Sequence, residues 1–449
     1  MFDLLASGVA NEWLQNNRVL PAKYDPVPIV STWQGLPLLN PPLSADLPLQ
    51  TAIDQYLARL KAMGLNPAQQ GIWLQTDSVP LVNQQANVPL PAASLTKSAT
   101  TLAALKTWGF DKKFDTNIAR PPSSQIQGDT LVGDLIIQGT GDPLFVWEDA
   151  QALAYTLNKM GIRQVSGNLQ IVGNFAMNYQ RDPQKAGELL KQGLSGATLA
   201  QSLTAEQLKD VNVIQAQTNK LASIGKFQVK IAGSVLVAAE MPQNANLIIT
   251  HRSLPLPDII REMNIYSNNE IAQMLADSVG GHEKVIEISA QTAGFTPSEI
   301  QLINGSGLGV QNQIAPYAVS QIFRAIHRLA KTQNLTAADL FPASGTDAKG
   351  SMLDRKMPIG TTVKTGTLNE VSALTGALPT RDRGLVWFTI INRGTQIPQL
   401  RQQQDRLLQN LQTNWGQPTI SPWGIARHNL VAPYLGDPER NEITKYPPR

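Results

Sequence analysis

The sequence predicts an α+β fold: an antiparallel sheet flanked by helices, with a β-rich domain inserted into it. Three observations lead there. Near the end of the chain, Thr361-Thr-Val-Lys-Thr-Gly-Thr-Leu368, Val371-Ser-Ala-Leu-Thr-Gly376 and Gly384-Leu-Val-Trp-Phe-Thr-Ile-Ile-Asn392 read as three strands on connections that suit only antiparallel neighbours. Apolar residues at helical spacing recur on both flanks, at 49–63 and again from Pro257 onward. Between these flanks, from about Asp115 to Asn244, the texture changes to short alternating runs, so one helix-and-sheet domain is split by other material. The length of 449 residues is about three times the ~150 residues of a typical domain and agrees with more than one core.

Each element follows from local pattern. Residues 1–47 read as an extension. Leu4, Leu5, Val9 and Trp13 fit one face of a short helix, a packed cap or a membrane-surface contact, and the prolines from Pro21 to Pro48 disfavour regular structure. The N-terminus lacks a basic start followed by an apolar run, so no secretory signal is expected. No stretch approaches the ~20 apolar residues of a membrane span. The helix over 49–63 stops at Gly64, and strands over 71–76 and 79–83 follow. Residues 91–109 form a helix of small and apolar residues with no polar face, the pattern of a buried helix. The alternating runs at 131–137, 165–172, 227–231 and 247–250 are strands, with a helical patch after Trp147 and a hairpin turn at Ser166-Gly-Asn168. The stretch 185–219, rich in Gln, Ala and Leu, has no legible organisation. A helix from Pro257 ends in a polar break, Tyr266-Ser-Asn-Asn269, and a second runs from Glu270 to Gly280-Gly281. A last helix covers about 397–414.

Composition removes whole classes of function. With 42% apolar residues the chain is not disordered throughout, and 37 basic against 34 acidic residues give a net charge of +3, no broad footprint for nucleic acid. The absence of Cys excludes disulfide scaffolds, iron–sulfur clusters, thiolate zinc sites and cysteine nucleophiles. His251, His282, His327 and His428 are too scattered to make a metal motif, so neither metal nor cofactor is expected, and a hydrolytic base would not be histidine.

Ser94 and Lys97 supply another route. At i and i+3 they share one face of a helix. In the first turn of a buried helix the free N–H groups and the dipole favour developing negative charge on the hydroxyl, while burial and dipole both disfavour an ammonium. Lys97 is therefore placed to act as a base and activate the serine. S-x-x-K alone is weak: Ser223-Ile-Gly-Lys226 also matches and reads as the start of a strand. What separates Ser94 from this decoy is Ser267-Asn268-Asn269 in a break between helices and Lys364-Thr365-Gly366 on a strand, where Gly366 lets a substrate backbone approach. S-x-x-K, S-x-N and K-T-G in that order mark serine β-lactamases and penicillin-binding proteins.

With these motifs the chain resembles the low-molecular-mass class C penicillin-binding proteins of the D-alanyl-D-alanine carboxypeptidase/endopeptidase type, peptidase family S13. Gly133-Asp-Leu-Ile-Ile-Gln-Gly-Thr-Gly-Asp-Pro-Leu144, Thr250-His-Arg-Ser-Leu-Pro-Leu256, Asn304-Gly-Ser-Gly-Leu308 and Gly350-Ser-Met-Leu-Asp-Arg355 extend the likeness over about 49–411. The resemblance implies a serine β-lactamase/penicillin-binding-protein (transpeptidase-like) fold, and extra domain material in the long interval between Ser94 and Ser267. The organisation expected is an extension over 1–47, the catalytic domain over 48–114 and 246–416, inserted material over 115–245, and a tail over 417–449. The insert looks shorter than is usual in the family.

The resemblance also implies roles. Ser94 would be the acylated nucleophile and Lys97 its base; Ser267 would relay a proton to the leaving amine, and Asn269 would orient the substrate peptide. Lys364 and Thr365 would hold the terminal carboxylate, with Gly366 beside them and the backbone N–H groups of Ser94 and Thr367 as oxyanion hole. Asp142 is a candidate contact for a stem-peptide amino group, or a turn residue. Implied partners are peptidoglycan stem peptides, with β-lactam antibiotics as inhibitors, in the periplasm or cell envelope. Three positions depart from the family pattern: Asn268 and Asn304 stand where Asp is usual, and Val310 where a basic residue is common.

Two rival readings remain. Tyr266-Ser-Asn268 also fits the Y-x-N of β-lactamases and esterases of the same fold, although the register against Ala272 and the long insert favour S-x-N. A non-catalytic peptidoglycan-binding protein could keep the fold. Gly305-Ser-Gly-Leu-Gly309 lacks both the spacing and the βαβ surroundings of a dinucleotide site.

Overall fold

The computed structural model describes residues 46–196, 227–419 and 435–444. The extension up to residue 45, the Ser223–Lys226 decoy, residues 197–226 of the Gln-rich region, and residues 420–434 and 445–449 of the tail lie outside the described residues. The chain divides into a unit Met1–Thr51 and a unit Ala52–Arg449, and the sheets and the candidate site all belong to the second.

The elements, in order, begin with α1 (Leu47–Ala62), β1 (Gly71–Gln75), β2 (Pro80–Gln84) and α2 (Thr96–Trp108). Then come β3 (Asp115–Arg120), β4 (Leu135–Thr140), α3 (Trp147–Lys159), β5 (Leu169–Asn174), α4 (Pro183–Leu194), β6 (Val235–Ala238) and β7 (Asn246–Arg252). Four helices follow: α5 (Leu256–Tyr266), α6 (Asn269–Val279), α7 (His282–Ala293) and α8 (Pro316–Lys331). The chain returns through β8 (Thr362–Leu368), β9 (Val371–Thr380), β10 (Gly384–Arg393) and α9 (Ile397–Trp415), and β11 (Asn441–Ile443) closes the described residues.

β8, β9, β10, β1 and β2 form one sheet in that order, antiparallel throughout. Its strand β9 is buried along its whole length because helices cover both faces. The apolar side chains of α2, α5, α6, α7 and α8 share one core with Val371, Ala373, Ala377, Trp387 and Ile391 of the sheet, while Leu400, Leu407, Leu408 and Leu411 of α9 are buried at β9. All ten residues Thr96–Leu105 of α2 are buried, as its lack of a polar face predicts. Each large side chain buried there stabilises the fold by about 1.5–3 kcal/mol, and the small Ala99, Ala103 and Ala104 let neighbouring helices approach.

A second sheet has the order β6-β5-β4-β3-β7-β11 and is mixed, with β4, β5 and β6 parallel and β3, β7 and β11 antiparallel. It takes in β7 and β11, which lie beyond residue 245. β3 and β7 pair side by side, with Arg252 opposite Asp115. Ser166-Gly-Asn168 is not a hairpin turn. Gln164–Val165 belongs to a separate four-stranded sheet, and both it and β5 run parallel to their neighbours. The Asn168 N–H donates to Asp134 Oδ1 at 2.7 Å as the two chains cross together from one sheet to the other. Alternation along a segment reports a strand but not its partner, and hence the sequence pattern alone suggested a hairpin.

Candidate active site

Ser94 sits in the 3-10 turn Ala93–Leu95 that feeds α2, and Lys97 in the first turn of the helix itself. Ala93 is left-handed (φ 49°), a conformation that costs an L-residue about 1–2 kcal/mol, and such strain gathers where geometry is imposed by function. Two glycines allow the neighbouring backbones to close on this turn. A Cβ on Gly366 of β8 would lie 3.1 Å from Ser94 N and 3.0 Å from the Ala92 carbonyl; one on Gly307, whose φ is 84°, would lie 1.9 Å from the Ala93 carbonyl. Any side chain at either place would push the nucleophile's turn away from its support.

Lys97 is fully buried and makes three hydrogen bonds through Nζ: 2.9 Å to Ser94 Oγ, 2.7 Å to Asn269 Oδ1 and 2.7 Å to the Ser306 carbonyl. The last two partners can only accept. A neutral amine directs both N–H bonds at them and its lone pair at the Ser94 hydroxyl, which is the arrangement of a base about to take that proton. Burial pushes the Lys97 pKa down to about 7, so the neutral form is well populated near neutrality.

Lys364 on β8 is the second buried lysine. Its Nζ donates to Ser267 Oγ at 3.0 Å and to the Thr365 carbonyl at 2.8 Å. Burial and, after it, the positive charge of Lys97 hold its pKa well below the ordinary lysine value. Neither Nζ has a carboxylate partner among the described residues. Ser267 and Asn269 reach these lysines because two helices meet at their caps. Ser267 ends α5 in the left-handed conformation (φ 54°, ψ 39°), and Asn268 starts α6 by accepting from the Ile271 N–H at 2.9 Å. The position where Asp is usual in the family therefore serves here as an N-cap, for which Asn and Asp are equivalent.

The structure thus brings Ser94, Lys97 and Asn269 into one hydrogen-bonded group and Ser267 and Lys364 into a second. Thr365 and Gly366 are buried behind them; Thr367 is exposed, with Oγ1 accepting from Arg401 of α9 at 2.8 Å. Asp142 is not hydrogen-bonded to this cluster. Its Oδ1 accepts from the Leu144 N–H at 2.9 Å, the bond of a tight turn, and its Oδ2 is buried without a hydrogen-bond partner. Burial raises its pKa to about 7 against the opposing effect of Arg440. Asn304 organises the loop beside the site: Oδ1 accepts from Gly307 N at 2.7 Å and Ser306 N at 3.1 Å, while Nδ2 donates to the Leu308 carbonyl at 2.7 Å. That donor is one an Asp could not supply. Val310 is exposed at the end of the same loop.

Sequence reasoning did not single out the Ser306 carbonyl, because a backbone acceptor leaves no mark in residue type. The only trace is Gly307, a residue that closes on Ala93. Among the described residues no group of three or more His, Asp or Glu side chains could hold a metal ion, and no helix is long and apolar enough to cross a membrane.

Comparison with known proteins gives the family and the fold. The model of the D-Ala-D-Ala carboxypeptidase 3 (S13) family matches residues 49–185 and 196–414. The chain is 23% identical over 380 residues to the D-alanyl-D-alanine carboxypeptidase DacB of Haemophilus influenzae, covering 65% of this chain and 78% of that one. It is 23% identical over 404 residues to the D-alanyl-D-alanine carboxypeptidase of Actinomadura sp. (strain R39), 69% of this chain and 74% of the other. A predatory peptidoglycan endopeptidase from Bdellovibrio bacteriovorus shares the fold with TM-score 0.66 at 20% identity, over 83% of this chain and 98% of that one. Penicillin binding protein 4 of Haemophilus influenzae superposes with TM-score 0.58 at 19% identity, over 81% and 99%. The chain belongs to the S13 family, and its fold is the α+β serine β-lactamase/penicillin-binding-protein fold. Its general role is that of a serine peptidase.

Proposed function

We propose, with membership of the S13 family as the premise, that this chain is a serine D-Ala-D-Ala carboxypeptidase/endopeptidase that cleaves peptidoglycan stem peptides through an acyl-enzyme on Ser94 and is acylated by penicillin. The observation that carries the reading is the 2.9 Å contact between Lys97 Nζ and Ser94 Oγ, with both remaining amine hydrogens directed at pure acceptors. Ser94 Oγ attacks the carbonyl carbon of the scissile D-Ala–D-Ala bond as its proton passes to Lys97 Nζ. The backbone N–H groups of Ser94 and Thr367 hold the oxyanion. As the C–N bond breaks, Ser267 hands its proton to the leaving amine and regains one from the Lys97 ammonium, so Lys97 is neutral again before deacylation, while Lys364 donates a hydrogen bond to Ser267 Oγ. Asn269 orients the substrate peptide, and Lys364 with Thr365 receives the terminal carboxylate. Water then attacks the ester, the neutral Lys97 amine takes a proton from it and passes that proton to Ser94 Oγ as the acyl C–O bond breaks, so serine and amine are both regenerated.

The Bdellovibrio relative has also been seen acylated by penicillin G, which supports a β-lactam as the probe. Asp142, whose Oδ1 holds the turn to Leu144 and whose Oδ2 is buried without a hydrogen-bond partner, is kept as a candidate contact for a stem-peptide amino group. The family's cell-wall role supports the envelope as the place of action.

The experiment is intact-mass measurement after exposure to penicillin, wild type against Ser94→Ala. A penicilloyl adduct on the wild type and none on the variant is expected; an adduct kept by the variant overturns the assignment. Rapid turnover of a chromogenic cephalosporin in place of a stable adduct favours the β-lactamase reading, and a folded protein that takes up no penicillin favours the non-catalytic one.

A further inference from the structure

One face of α6 carries three polar side chains at intervals of four residues, and each bonds a different part of the molecule. Asn269 Oδ1 accepts from Lys97 at 2.7 Å. Gln273 Oε1 accepts from the Gly305 N–H at 3.0 Å, and its Nε2 donates to Asp277 Oδ1 at 2.7 Å. Asp277 Oδ2 in turn pairs with Arg181, which stands beside the tight turn at Asn178 and Tyr179, both left-handed. Residues at i, i+4 and i+8 form a row along a helix, and in this row Arg181, Asp277, Gln273 and the Gly305 N–H are joined by hydrogen bonds.

The middle of the row lies next to the chemistry. Gly305 is buried, and both its backbone groups are held: its N–H by Gln273 of α6, and its carbonyl by Thr100 Oγ1 of α2 at 2.7 Å. A Cβ at this position would lie 2.2 Å from Ala276 Cβ, so the loop is clamped between the two helices. The next carbonyl along the chain, that of Ser306, receives one hydrogen of Lys97.

We propose that Gln273 is a positioning residue for the acylation step: by holding the Gly305 N–H it fixes the Ser306 carbonyl, and that carbonyl aims the Lys97 amine at Ser94 Oγ. The inference rests on the serine-peptidase reading above. Asp277 and Arg181 orient the Gln273 amide so that its oxygen faces the loop, because the amide nitrogen is engaged by the carboxylate. The Lys97 amine also lies in the field of Lys364 on β8, while Glu270 and Asp277 are exposed on α6.

The test is the rate of acylation by a fluorescent penicillin, followed from pH 5 to pH 9, in the full chain. Gln273→Ala lowers the rate by about 10- to 100-fold, the scale on which a displaced reacting group is felt. It also moves the midpoint of the pH profile downward, because the Ser306 carbonyl favours the charged amine and is no longer held against it. Gln273→Glu keeps an acceptor for Gly305 but loses the donor to Asp277, so its loss lies with that of Asp277→Ala, about two- to fivefold, and well short of that of Gln273→Ala. Asp277→Ala, on the exposed side, gives a loss of about two- to fivefold in the same direction and serves if Gln273→Ala does not fold. A purely structural role would lower the fraction of labelled protein and leave rate and midpoint unmoved; that result, or wild-type behaviour in Gln273→Ala and Asp277→Ala, overturns the inference alone. A wild-type protein that takes no label on Ser94 overturns the serine reading and the inference with it.

Discussion

The two sheets of this chain each carry a buried polar cluster, and the clusters treat charge in opposite ways. Beside the second sheet, Arg440 from the tail donates to Asp149 Oδ1 at 2.6 Å and to the Arg252 carbonyl at 2.9 Å, and its Nη2 lies 3.1 Å from His251 Nε2. His251 Nδ1 bonds Asn441 Oδ1 at 2.7 Å, and burial pushes the histidine pKa down to about 4, so the ring is neutral and its Nε2 accepts from Arg440. The buried cation is matched by a buried anion. Beside the first sheet, Lys97 and Lys364 are just as buried, yet the oxygens they bond are neutral. An ion pair would keep such an amine charged; without one among the described residues, burial pushes the Lys97 pKa down to about 7, which suits the role of base proposed for it. Pairing thus belongs to structure in this molecule, and its absence belongs to chemistry.

Lys97→Met tests the comparison most severely. It removes the base and should slow acylation by about 100- to 10,000-fold in a single-turnover labelling assay. The same variant should also change stability. With the native pKa near 7 and the ordinary value at 10.5, the native state binds fewer protons than the unfolded chain between those limits. Stability therefore rises with pH across that window, and the full penalty of the buried amine is present below it. Lys97→Met should be more stable than wild type at pH 6 and should flatten that rise in urea titrations at several pH values. An unchanged slope would break the claim that burial alone sets the amine.

Arg440→Met is the mirror experiment. It strands the Asp149 carboxylate in the interior and should lower unfolding free energy by about 3–5 kcal/mol in denaturant titration. The acylation rate of the folded fraction should stay at the wild-type value. A large drop in that rate would erase the division between the two clusters.

The pH profile of wild-type acylation sharpens the contrast further. Below pH 7 the rate should fall about tenfold per unit as Lys97 gains its proton, whereas the ring of His251, pushed down to about 4, stays neutral in that range. A profile flat from pH 5 to 8 would contradict the assignment of Lys97 as base. The smallest effect expected is that of Asn268→Asp. Because the two residues cap helices equally, stability should change by less than about 0.5 kcal/mol in a thermal melt, and a larger loss would mean that Asn268 does more than cap α6.

Much of the first cluster was legible in the residues and little of the second. Ser94 and Lys97 could be paired from spacing because three residues make about one helical turn wherever the helix lies. Ser267, Asn269 and Lys364 became legible as members of an ordered set, and the strands β8 to β10 through their alternation and short links. Asp149, His251 and Arg440 carry no such spacing; they meet only because β7 and β11 pair at the edge of the second sheet. The parallel crossing at Ser166-Gly-Asn168 was hidden for the same reason, since strand partners are chosen at long range.

By itself the sequence determined the chemistry this chain can attempt. Without cysteine, and with histidines scattered along the chain, a lysine one turn from a serine is the base it offers, and Gly366 and Gly307 leave room for backbones to close on that serine. Only the tertiary structure decided that Lys97 is buried without a carboxylate, that the Ser306 carbonyl takes one of its hydrogens, and that Gln273 holds that carbonyl's loop in place. The physical reason is range: helix and strand periodicity act between neighbours, whereas burial and backbone hydrogen bonding at a site arise where segments remote in sequence pack together.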